Sequence, residues 1–82
     1  MIHAGTIAFE ATVEDAEVEL SRREGLQDVH FVRSGQCEQF PALPCYLVEV
    51  HGEHDGLQGK LWMDRVEQAL AGRVGAMHRC IG

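Results

Sequence analysis

The chain has 82 residues, 45% of them hydrophobic and 24% charged, and its 13 Asp and Glu against 7 Lys and Arg give a formal net charge of −6. That length supports one small globular domain spanning residues 1–82 and leaves no room for a second. The longest uninterrupted apolar stretch, Cys45 to Val48, is far too short to span a bilayer, and the acidic balance disfavours direct nucleic-acid binding.

Ile7, Phe9 and Ala11 alternate with Thr6, Ala8 and Glu10, which predicts a half-buried strand over residues 2–10. Thr12-Val13-Glu14-Asp15 then reads as a helix N-cap with an acid at the third helical position. Val13, Ala16 and Leu20 form its apolar stripe, Arg22 and Arg23 fill the last turn, and Gly25 is placed as a left-handed C-cap with Leu26 folding back. Val18 objects: Ala16, Val18 and Leu20 also alternate with Glu17 and Glu19, which leaves a hairpin strand as the competing assignment for residues 12–24. Glu14-Asp15 is a poor hairpin turn, so the helix is preferred.

Asp28 to Arg33 and Tyr46 to His51 are β-branched and aromatic and are bounded by glycine or proline, the marks of two strands. The connection Ser34 to Cys45 contains Pro41 and Pro44, which forbid a regular ladder across it. In Leu57 to Gly72, one helical face gathers Trp62, Met63, Val66, Ala69 and Leu70 against Lys60, Asp64, Glu67 and Gln68. Trp62 is expected to be the largest buried ring of the core, with an interface role as the alternative. Val74 to Ile81 resumes alternation and closes the chain with a strand that Gly75 weakens. Strand, helix, strand, strand, helix, strand predicts a ferredoxin-like βαββαβ sandwich, an α+β fold with a four-stranded antiparallel sheet and both helices on one face. A sheet with one bare face, in so small a domain, also leads to the expectation of a homodimer.

Chemistry is sparsely signalled. No phosphate-binding glycine loop and no Cys-x-x-Cys pair occurs. Cys37, Cys45 and Cys80 are expected as reduced thiols, with a Cys37–Cys45 bridge as the alternative. Cys80 and His78 share a strand face without the alignment that nucleophilic catalysis needs, and a non-catalytic role is expected. The strongest electrostatic feature is Glu10, Glu14, Asp15, Glu17 and Glu19, five acids with no base among them, read as a surface that an adaptor or inhibitor presents to a basic protein partner. The alternative is a metal-binding chaperone or sensor. His51-Gly52-Glu53-His54-Asp55 concentrates nitrogen and oxygen donors after the third strand, and strand pairing would bring Asp28 or His30 near His51. His30, His51 and His54 are the candidate ligands of a divalent ion such as zinc or nickel, and no other cofactor is expected. With no basic-then-apolar leader before Glu10, a cytoplasmic location is expected.

Overall fold

In the computed structural model, residues 1–35, 41–54 and 58–80 are described. The elements are β1 (Ile2–Phe9), α1 (Val13–Ser21), β2 (Val29–Ser34), β3 (Cys45–Val50), α2 (Gly59–Leu70) and β4 (Met77–Cys80). All strand pairs are antiparallel and the sheet order is β2-β3-β1-β4, so β1 and β3 are central as the ferredoxin-like reading requires. No helix among the described residues is long and apolar enough to cross a membrane.

Thr12 settles the identity of the second element. Its backbone is extended and its Oγ1 accepts a hydrogen bond from the Asp15 N–H at 3.1 Å, meeting one of the donors that a helix start leaves unsatisfied. Ala16 and Leu20 are buried beneath α1 while Val18 stays 50% exposed on its outer side, so the hairpin alternative is excluded. The helix ends earlier than its sequence suggests. Arg22 is the C-cap, and Gly25, at φ +85°, makes the turn beyond it that returns Leu26 to the core.

β1 pairs with β3 through a register shift between His3 and Gly5. The extra residue reverses the side-chain alternation, so Ile2 packs against the same core as Ile7 although the two lie five residues apart. Ile7 and Phe9 face the helices, and Phe9 stacks on Tyr46 of β3 (4.6 Å between centroids) and meets Phe31 of β2 edge-on (5.2 Å). From α2 the core receives Trp62, Met63, Val66, Ala69 and Leu70, the face expected from the sequence. Gly59 lets the first turn of α2 approach β1, because a Cβ there would lie 2.9 Å from the Ala4 carbonyl oxygen. Leu57, the expected start of this helix, lies outside the described residues.

The last strand is shorter than its apolar alternation implies. Gly75 adopts φ +75°, and the segment before Met77 is tied to the end of β1 by hydrogen bonds from Glu10 N–H to Ala76 O and from Ala11 N–H to Val74 O, both 3.1 Å. Ile81, its expected end, lies outside the described residues. Arg79 then anchors β4 to α2, its Nε donating to Glu67 (2.7 Å) and its Nη2 to Asp64 (2.6 Å). Hydrogen bonding to these carboxylates raises the Arg79 pKa further above its ordinary value.

Removing the α1 cap with Thr12→Ala is expected to cost about 1 kcal/mol of stability, seen as a lower urea midpoint with an unchanged slope; an unaltered midpoint would contradict the capping role.

Candidate functional site

The five carboxylates of the acidic run do not form one free surface. Glu10 Oε1 accepts from the Ala76 N–H at 2.9 Å, closing the turn before β4. Glu19 faces Arg22 at 3.4 Å and Arg73 at 3.7 Å. Glu17 reaches from α1 to the outer edge of β2, where Oε2 accepts the Phe31 N–H at 3.1 Å and Oε1 lies 3.5 Å from His30 Nδ1. A carboxylate spent this way covers part of an edge strand that would otherwise offer its backbone to another chain. Glu14 and Asp15 are exposed in the first turn of α1, with no side-chain partner among the described residues. Their negative charge suits the positive end of the helix dipole.

Glu14 and Glu17 border a groove of about 380 Å³ between α1 and β2, lined also by Val18, Ser21, Gln27, Val29 and His30. Val18 reaches this groove because the apolar stripe of α1 is turned to the core and leaves it on the outer side. The Ser21 hydroxyl donates to the Val18 carbonyl at 2.7 Å, so it is committed to its own helix. The groove therefore combines two carboxylates with an apolar surface and carries no activated nucleophile.

The histidines divide between the two faces of the sheet. His30 and His51 meet on the helix-free face with ring centroids 4.5 Å apart, as the pairing of the second and third strands predicts. His54 turns the other way, its Nε2 3.0 Å from Asp28 Oδ2 and its ring edge-on to Trp62 at 5.1 Å. In its place, His3 joins the helix-free cluster. Glu49, with a side chain 15% exposed, lies 3.1 Å from His51 Nε2 and 3.6 Å from His3 Nε2. His3 and His30 flank Glu49 on the neighbouring strands, directly opposite it in register. His3 reaches this face through the β1 register shift, and Gly5 inside an apolar strand is the one sequence signal that could have revealed it. These groups hydrogen-bond and stack on one another, and among the described residues no three His, Cys, Asp or Glu side chains are gathered in a way that would hold a metal ion.

Cys45 and Cys80 approach each other over Ala8 on the helix-free side, with a sulfur–sulfur distance of 3.4 Å. Cys80 is disulfide-bonded, which corrects the expectation of three reduced thiols. Cys37, and with it the Cys37–Cys45 alternative, lies outside the described residues. Trp62 is 2% exposed, which assigns it to the core as expected, and its Nε1 finds no acceptor among the described residues.

Comparison with known proteins finds no matching family, no matching curated protein and no matching solved structure. The functional reading therefore rests on this chain's own geometry.

Glu17 and Glu14 differ sharply in what they hold. Glu17→Ala leaves the Phe31 N–H without its acceptor and is expected to lower stability by about 1 kcal/mol, whereas Glu14→Ala should change it by no more than ~0.5 kcal/mol. Equal effects in chemical denaturation would contradict this division of roles.

Proposed function

We propose that this protein is a small non-catalytic interaction module that receives a basic, partly apolar segment of a protein partner in the groove between α1 and β2. The observation that carries the reading is Val18, half-exposed beside the groove's two carboxylates, Glu14 and Glu17. A lysine or arginine of the partner would be drawn to these acids, and an apolar neighbour would cover Val18. The commitment of Glu17 to the Phe31 N–H favours recognition through side chains over addition of a strand at that point. Of the five acids expected to face a partner, Glu14 is then the groove contact most available to one and Glu17 contributes its charge from a fixed position, whereas Asp15 is exposed outside the groove lining and Glu10 and Glu19 serve the fold.

A fluorescent peptide of alternating lysine and leucine, titrated at two salt concentrations and read by anisotropy, tests the proposal. Binding is expected to weaken with salt and to fall by about tenfold or more in Glu14→Lys and measurably in Val18→Ser, each checked for native circular dichroism. Both variants binding as tightly as the parent would refute the groove as the docking surface.

A further inference from the structure

A second cavity, of about 190 Å³, lies between the turn that leaves α1 and the outer side of α2, and is lined by Arg23, Glu24, Leu26, Arg65, Gln68 and Ala69. In a chain with nearly twice as many acids as bases, arginines readily find carboxylates, and Arg22, Arg73 and Arg79 do so. Arg23 and Arg65 have no carboxylate within ion-pair distance among the described residues, and Glu24 on the same rim pairs with neither. The lining thus carries a net positive charge on a protein of net charge −6.

Two independent features fix where the Arg65 guanidinium stands. Its central carbon lies 5.0 Å from the centroid of the Trp62 ring, a stacking that suits the flat arginine head group. Gly25 lies against it as well, since an added Cβ there would come within 2.7 Å of Arg65 Nη2. The turn carrying Arg23 is itself held, since the Arg23 carbonyl accepts from Gln27 Nε2 at 2.8 Å and from the Leu26 N–H at 3.2 Å. Beneath the polar groups, Leu26 and Ala69 are buried and supply an apolar floor.

We propose that this cavity is a binding site for a small oxyanion of the phosphate or carboxylate type. Arg65 offers a planar fork of N–H donors, Arg23 a second positive charge, and Gln68 a neutral amide donor. The volume admits an inorganic phosphate or a short carboxylate and is too small for a nucleotide. The site is separate from the α1–β2 groove, so its failure leaves the groove reading standing.

The test is a titration of the whole protein with inorganic phosphate at constant ionic strength, followed by backbone amide shifts and by the fluorescence of Trp62, the chain's single tryptophan. Saturable shifts at residues 23–26 and 65–69, with a parallel change in Trp62 emission, are expected. Arg65→Lys keeps the charge and loses the fork, and Arg23→Gln removes one charge. Each should weaken phosphate binding by about tenfold or more, while Arg33→Gln, on a strand away from the cavity, should not. Shifts spread equally over Arg33 and Arg73, or an affinity unchanged in both Arg65→Lys and Arg23→Gln, would overturn the site.

Discussion

The constraint on which the rest of the molecule depends is the burial of β1 on both faces at its C-terminal end. Ile7, Ala8 and Phe9 are three consecutive residues with no exposed surface. Ile7 and Phe9 face the helices, whereas Ala8 is covered on the helix-free side by Cys45, with Leu43 and Cys80 beside it. A small side chain is required at Ala8 because the sulfurs of the flanking strands close to 3.4 Å above it. Phe9 does the complementary work on the other face, where its contacts with Tyr46 and Phe31 join three strands through one aromatic group. An 82-residue chain has material for a single apolar layer, and placing the most buried strand near its centre lets β3, β4 and α2 pack directly on it, while β2 is joined to it through the Phe9–Phe31 ring contact.

With the core settled in this way, the edges of the fold are closed by polar groups. Glu17 covers the outer side of β2, Glu10 fastens the turn into β4, and Arg79 ties β4 to α2 through two carboxylates. Charge that appears in the sequence as a surplus is therefore largely structural. The features proposed for recognition are local: Glu14 with Val18 beside one groove, and Arg23 with Arg65 beside one cavity. The groove runs along α1 and the cavity lies at the turn beyond it; they share no lining residue and carry opposite charge, which suits two different ligands better than one extended docking surface.

The fold was legible because its signals are periodic and local. The buried stripe of α2 follows helical spacing, Thr12 is a cap by chemistry, and the β-branched runs of β2 and β3 are bounded by turn residues. The site was less legible because its determinants are long-range. Nothing near Glu17 in the chain foretells the Phe31 N–H fourteen residues away, and nothing near Glu10 foretells Ala76. His30 and His51 could be paired from strand order. His3 could not, because a one-residue register shift in β1 decides which face it occupies. His54 was grouped with them by proximity in sequence, yet Gly52, at φ +81°, turns the chain between them and delivers it to Asp28 and Trp62.

Amide hydrogen exchange across the native chain tests most directly the claim that an α1 carboxylate closes the β2 edge and so shapes the neighbouring groove. Antiparallel alternation points the Phe31 N–H outward, away from β3, where without Glu17 it would meet solvent. The account predicts that Phe31 exchanges as slowly as the inward-facing amides of His30 and Val32 beside it. Rapid exchange at Phe31 with slow exchange at those neighbours would show an open edge, and would contradict the arrangement on which the groove depends.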